Sequence, residues 1–335
     1  MHSATAVCLA APRGPVELRT LDIPAPGPGE VRVRIEACGI CHSDVMITGL
    51  EKLPLSPLIL GHEGIGIVEA VGEGVTQASL GDRVGITYFG AGCGQCHACQ
   101  SGHARYCAKQ SNHGYTRHGA LATETTVAAQ NIIRVPANLK PEEAAPLCCA
   151  GWTAMGALNE ANLQPGQWLA IAGFGGLGHL AAAYPKARGI HVAVIDTNQE
   201  KLDFAKAQGA DLVTLPDAAR KTIQKETGGA HAAIVFTASA AAGPTALSTL
   251  QRRGSLILVG LTTDTFPISM TEIVLKGIRI QGSYLGTRTD LAQVFALAAE
   301  GKVKPHITTH TINEAPALIE KLSRGEQTGR AVVKF

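Results

Sequence analysis

Apolar and polar positions change rhythm once along this chain. Up to about residue 148 the apolar runs are short, alternating and divided by turns. Val31-Arg32-Val33-Arg34-Ile35 alternates with period two, which predicts a strand buried on one face. The preceding Pro24-Ala25-Pro26-Gly27-Pro28-Gly29 predicts an irregular turn. Ile65-Gly66-Ile67-Val68-Glu69-Ala70-Val71 predicts another strand, ended by Gly72-Glu73-Gly74. This half is expected to be mainly β with many loops.

From about residue 150, apolar runs alternate with helical stretches. Strands are predicted at 168–172, 192–195, 212–215, 233–236, 256–259 and 278–280. Helices are predicted at 178–188, where Pro185 should bend the helix or mark a first turn, and at 200–208, stopped by Gly209. Such alternation predicts a parallel, doubly wound sheet and hence an α/β fold. A last helix is predicted at 290–300. The strand-like run Arg330-Ala331-Val332-Val333-Lys334-Phe335 is expected to return to the first half.

Composition narrows the functional class. The 335 residues suggest two domains. With 45% hydrophobic and 17% charged residues, a disordered chain is excluded. A net charge of +2 with no basic stripe argues against nucleic acid as a partner. No apolar run is long enough for a bilayer, so no membrane partner is expected. The start Met1-His2-Ser3-Ala4-Thr5 lacks a basic region followed by an apolar stretch, so no signal peptide and a cytoplasmic location are expected. Nine clustered cysteines in such a chain read as metal ligands before disulfides.

The most specific local signal is Cys93-x2-Cys96-x2-Cys99-x7-Cys107. Four thiolates on one short lobe can surround zinc tetrahedrally, with no position left for substrate, so the expected metal is structural. Four free thiols or an iron–sulfur cluster are the alternatives. A second, dispersed set comprises Cys41-His42-Ser43-Asp44, Gly61-His62-Glu63-Gly64 and Cys148-Cys149-Ala150-Gly151. Spacing alone does not bring these together, and a lone cysteine or histidine is more often structural.

Gly173-Phe174-Gly175-Gly176-Leu177-Gly178 matches G-x-G-x-x-G. It follows a predicted strand and opens a helical stretch, and Asp196 ends the next strand. Backbone and helix N-terminus there can hold a pyrophosphate. Asp196 can accept hydrogen bonds from the adenosine ribose and would repel a 2′-phosphate, which favours NAD over NADP.

In this order, the motifs resemble the zinc-dependent alcohol dehydrogenases of the medium-chain dehydrogenase/reductase superfamily, in their bacterial and yeast-like branch. The likeness covers essentially the whole chain. It implies a GroES-like catalytic domain at 1–148 and 285–335, with a structural zinc lobe at 90–108, and a Rossmann domain at 149–284. It implies two zinc ions per chain, NAD, and hydride transfer from a primary or secondary alkoxide on zinc to give an aldehyde or ketone. Cys41, His62 and Cys149 are the implied catalytic ligands, Cys149 being chosen over Cys148 because it precedes Ala-Gly. Glu63 is the implied transient ligand, Ser43 the group that takes the alcohol proton, and Asp44 the carboxylate that orients the ligand histidine. Lys201 is implied at the adenosine ribose, and His42 and Arg330 at the pyrophosphate. Thr153 and Leu177 are implied near the nicotinamide. Val259, Gly260, Leu261 and Leu285 are implied beside its carboxamide. Tyr88 or Phe89 stands where the family has an aromatic pocket residue, and Trp152 either narrows the pocket or packs the core. Family members of this branch are commonly tetramers, so a homo-oligomer is expected.

The chain departs from the pattern at Met46, where many members have a proton-relaying histidine. A thioether cannot relay a proton, so the relay is expected to end at the cofactor ribose, His42 or a water. The competing readings are a polyol or amino-alcohol dehydrogenase of the same superfamily and a zinc-knuckle binding protein with a degenerate Rossmann domain. Zinc-free quinone reductases lack the equivalents of Cys41 and His62.

Overall fold

A computed structural model describes residues 2–335. The chain divides into two compact units: Met1–Ala150 with Phe295–Ala299 and Pro305–Phe335, and Gly151–Val294 with Glu300–Lys304. Residues 285–294 and 300–304, expected with the first unit, cluster with the second, and residues 149–150, expected with the second, cluster with the first.

The first unit is mainly β. The strand Glu30–Gly39 lies at its centre and pairs antiparallel with Gly64–Val71, Glu124–Ala128 and Arg330–Lys334. The C-terminal run therefore returns to this sheet, with Val332 opposite Gly39. Val31, Val33 and Ile35 lie in one core with Val68, Val84, Ile86 and Val127. The period-two pattern holds except at Arg32, which is 8% exposed. Its guanidinium meets Glu124 at 3.0 Å across the paired strand, so a partner charge makes its burial tolerable. A smaller sheet is formed by His2–Leu9, Val16–Ile23 and Leu58–Ile59.

The second unit is a six-stranded parallel sheet. Its order in space is Leu212–Thr214, His191–Ile195, Trp168–Ala172, Ala230–Val235, Leu250–Leu258 and Arg279–Gly282. This is the doubly wound order, and the winding reverses between Trp168–Ala172 and Ala230–Val235, where such sheets bind ligands. Four of the strands begin or end outside their predicted limits; Leu250–Leu258 starts early, Leu250 pairing with Ala230 before an irregularity that brings Ser255 opposite Ala232. The helix Gly178–Lys186 carries Pro185 in its last turn rather than its first. A proline there gives up the amide that would donate to the Ala181 carbonyl, and the helix ends one residue later, at Lys186. Asn198 caps the next helix, Gln199–Ala207, its side chain accepting from the Lys201 amide at 3.2 Å.

Candidate metal centres and dinucleotide site

In the first unit, donor atoms of Cys41, His62, Glu63 and Cys149 lie within 4.8 Å of one another, and all four residues are buried. Cys41 is the N-cap of the short helix His42–Thr48. Asp44, in the first turn of that helix, locks the arrangement. Its Oδ2 accepts from the Cys41 amide at 2.9 Å, and its Oδ1 accepts from the Gly61 amide at 3.1 Å. The same Oδ1 is 3.3 Å from His62 Nδ1. One carboxylate thus fixes both the segment carrying Cys41 and the segment carrying His62. The Tyr88 ring packs edge-on against the His62 ring, with centroids 5.1 Å apart at 80°.

Cys149 follows the 3-10 turn Ala145–Cys148, and its Sγ is 4.0 Å from Cys41 Sγ. Cys148 takes no part in the cluster; its sulfur lies against Gly85 of the strand Arg83–Ile86. Glu63 accepts a hydrogen bond from the Arg330 guanidinium through one carboxylate oxygen. Its other oxygen, and both ring nitrogens of His62, are buried without a hydrogen-bond partner.

These orphaned donors test whether a metal fits. Buried polar atoms are normally paired, and three without partners on two adjacent residues at one cluster need an account. Two sulfurs on one zinc, each about 2.3 Å from it, stand about 3.8 Å apart at the tetrahedral angle, close to the distance seen. The electrostatics agree. The Cys149 thiol, hydrogen-bonded to Cys41, holds the Cys41 pKa well below the thiol range, with His62 adding to the effect against burial. Burial works to lower the His62 pKa, but Asp44 and Cys41 outweigh it and raise it. Burial lifts the Glu63 carboxyl to about 7 in spite of Arg330. A thiolate and a carboxylate at the margin of ionisation are what a divalent cation would stabilise.

The second cluster is Cys93, Cys96, Cys99 and Cys107, whose sulfurs also lie within 4.8 Å of one another. Cys96 and Cys99 sulfurs are 3.6 Å apart. The amides of Cys93 and Lys109 both donate to Cys107 Sγ at 3.3 Å. The Gln95 and Cys96 amides hold the Cys93 thiol down at about 6. N–H groups aimed at sulfur favour thiolates, the form a metal binds. None of the nine cysteines is in a disulfide.

The dinucleotide fingerprint lies in the second unit. Gly173 to Leu177 follow the strand Trp168–Ala172, and the helix Gly178–Lys186 begins at the sixth position of the motif. A Cβ on Gly178 would collide with the Gly173 carbonyl, whereas one on Gly175 would meet nothing within 4 Å. Packing therefore explains the last glycine, and the middle one leaves open backbone for a ligand to approach. Asp196 Oδ2 accepts from the Phe174 amide at 2.7 Å, and its Oδ1 accepts from Asn198 at 3.0 Å. Sequence reasoning gave Asp196 a ribose role only; it also pins the glycine turn.

The other residues singled out in this unit follow the same geometry. Asp196 ends the strand His191–Ile195, Val259 to Leu261 follow Leu250–Leu258, and Leu285 follows Arg279–Gly282, so all stand at carboxyl ends of parallel strands. Leu285 has a left-handed backbone, φ 57°, which a leucine rarely adopts and which is a mark of functional loops. Lys201 is half-buried in the helix after Asp196, and Thr153 is buried in Ala150–Ala161. Trp152 is 4% exposed and donates from its indole N–H to the Thr287 carbonyl at 2.7 Å, which is a packing role.

In the first unit, His42 is exposed and Ser43 half-buried, with Ser43 Oγ 3.9 Å from Cys41 Sγ. Phe89 sits in the strand Phe89–Ala91 opposite Asn112. Met46 is 45% exposed. Arg330, expected at the pyrophosphate, is 4% exposed and paired with Glu63, a partnership that sequence reasoning missed.

Residues 27–137 match the alcohol dehydrogenase GroES-like domain, and residues 176–300 match the zinc-binding dehydrogenase domain. An alcohol dehydrogenase of Geobacillus stearothermophilus is 42% identical over 324 residues, 96% of each chain. The crystal structure of the alcohol dehydrogenase of Aeropyrum pernix superposes with a TM-score of 0.89 at 32% identity, covering 99% of this chain and 100% of that one. An acetophenone reductase from Geotrichum candidum in complex with NAD superposes with a TM-score of 0.86 at 28% identity, covering 100% and 98%. With these motifs intact in one chain, it belongs to the zinc-dependent alcohol dehydrogenases of the medium-chain dehydrogenase/reductase superfamily.

Proposed function

We propose that this oxidoreductase interconverts small primary or secondary alcohols and their aldehydes or ketones, using NAD. Cys41, His62 and Cys149 hold the catalytic zinc, and Cys93, Cys96, Cys99 and Cys107 hold a second, structural one. The observation that carries the reading is the convergence of Cys41, His62 and Cys149 around donor atoms that lack partners.

Zinc in the open site supplies Lewis acidity, which polarises a hydroxyl and lowers its pKa. NAD supplies the hydride acceptor. The rest falls to the chain's own side chains. Ser43, two residues after Cys41, takes the alcohol proton through its hydroxyl. Exposed His42 passes it to solvent, the role that Met46 cannot fill. Asp44 keeps the His62 ring in register by facing Nδ1, which leaves Nε2 for the metal. Tyr88, against His62, forms the pocket wall. Glu63 shares its charge between Arg330 and the metal. In the second unit, the glycine turn and the helix start bind the pyrophosphate, Asp196 and Lys201 bind the adenosine ribose, and Thr153, Leu177, Val259, Gly260, Leu261 and Leu285 border the nicotinamide. No helix among the described residues is long and apolar enough to cross a membrane. We place the enzyme in the cytoplasm as a homo-oligomer, a tetramer by analogy with its branch.

The test follows NAD reduction optically against a panel of alcohols, with metal content measured in parallel. Alcohol-dependent reduction and two zinc ions per chain are expected. One zinc and no turnover on any alcohol would overturn the reading.

A further inference from the structure

His113 has no place in the site as drawn, yet it is 1% exposed and linked to its wall. Its backbone amide donates to the Tyr88 carbonyl at 2.9 Å. Its ring Nδ1 is 2.8 Å from the Thr87 carbonyl, which can only accept, so the proton is on Nδ1. Burial pushes the ring pKa down to about 4, so the imidazole is neutral with this single N–H. One residue thus holds two consecutive carbonyls, those immediately before and at the residue whose ring abuts His62. The Thr87 hydroxyl adds a bond to the Phe89 carbonyl at 3.1 Å, closing the turn.

The segment carrying His113 is braced from the other side as well. The Gly119, Ala120 and Leu121 amides donate to the Ile59, Gly61 and Leu60 carbonyls at 2.9–3.0 Å. These carbonyls belong to the stretch that ends at His62. The loop 112–121 therefore ties the Tyr88 turn to the ligand segment, and His113 is its tie on the Tyr88 side. A histidine here carries a cost that an apolar residue would avoid, since its Nε2 is buried without a hydrogen-bond partner, and the Nδ1 bond to Thr87 offsets it.

We propose that His113 is a positioning residue for the substrate pocket, fixing the Thr87–Tyr88 backbone so that the Tyr88 ring stands against His62 and sets the size of alcohol admitted. The inference rests on the reading of Tyr88 as pocket wall. It commits to a geometric role for Nδ1, which separates two near-isosteric replacements. In His113→Asn the amide nitrogen sits on Cγ as Nδ1 does. In His113→Gln the nitrogen lies one bond further out, where Nε2 was.

The test measures kcat and KM of the zinc-loaded enzyme for ethanol and for benzyl alcohol. His113→Ala should shift the ratio of the two kcat/KM values about tenfold, mostly through KM, at unchanged zinc content. His113→Asn should restore the ratio to within about twofold, and His113→Gln should not. If His113→Ala does not fold, the Asn and Gln variants decide alone. Wild-type ratios in all folded variants, or equal losses in Asn and Gln, would overturn the positioning role while wild-type turnover leaves the enzyme reading standing. Failure of the wild type on every alcohol would remove both.

Discussion

Glu63 and Arg330 form an ion pair across 267 residues of chain, with the carboxylate fully buried and the guanidinium 4% exposed. The pair joins the metal cluster to the C-terminal strand Arg330–Lys334, which enters the central sheet beside Gly39. Arg330→Met takes the guanidinium away from the fully buried Glu63 carboxyl. Breaking a buried pair from one side costs about 3–5 kcal/mol. Urea unfolding of the zinc-loaded protein should show that loss, and Glu63→Gln added to Arg330→Met should recover most of it. A loss under about 1 kcal/mol would mean that Glu63 is compensated by something else.

Asp44 is the second carboxylate on which the cluster depends. Asp44→Asn keeps the shape but removes the charge that holds the His62 pKa up, and gives an amide N–H where the Cys41 or Gly61 amide needs an acceptor. Outer partners of metal ligands typically govern affinity or activity by 10–100-fold, and a loss about that large is expected in kcat/KM or in zinc affinity by competition with a chelator. Wild-type values in both would leave Asp44 as a helix cap only.

How much of this was legible in the sequence depended on distance along the chain. The four-cysteine lobe spans 93–107, so spacing alone indicated a cluster, and its sulfurs do lie together. The Rossmann strands were legible because buried parallel strands are continuous apolar runs. Cys41, His62 and Cys149 converge only through sheet topology, and family likeness had to supply what periodicity could not. Arg330–Glu63 and His113–Thr87 stayed invisible, since a charge or an imidazole in a strand-rich stretch looks like a solvated face until its partner strand is known. Arg32 shows the same limit: alternation placed it outside, and Glu124 on a neighbouring strand draws it in.

The four-cysteine lobe makes a separable prediction. Cys99→Ser removes one thiolate from a closed site, and serine does not replace it. Metal content should fall by one zinc per chain, with a lower Tm by calorimetry, because a structural site contributes its binding energy to folding. Turnover at low temperature should persist. Two zinc ions in the variant would show that Cys99 is not needed to hold the second metal.

Asp196 carries two loads, the cofactor preference and the Phe174 amide. Asp196→Asn removes the negative charge that would repel a 2′-phosphate while leaving one good acceptor. The kcat/KM ratio of NAD over NADP should fall by about tenfold or more, with most of the change a loss on NAD. An unchanged ratio would assign Asp196 to the glycine turn alone.

His113 also gives the chain a defined acid sensitivity. Its pKa falls from the ordinary 6.5 to about 4 on burial. The unfolded chain then binds a proton that the folded one refuses, so stability is lost as pH falls from 6.5 toward 4 and is unaffected above that window. At pH 5 the penalty is about 2 kcal/mol for a fully buried imidazole, and it vanishes by neutrality. His113→Asn cannot titrate. The stability of the variant relative to wild type, measured by urea unfolding, should therefore rise by about 2 kcal/mol between pH 7 and pH 5. Carboxylates elsewhere contribute equally to both proteins and cancel in the difference. A flat difference across the window would mean that the buried ring takes up its proton in the folded state, and that Nε2 has found an acceptor there.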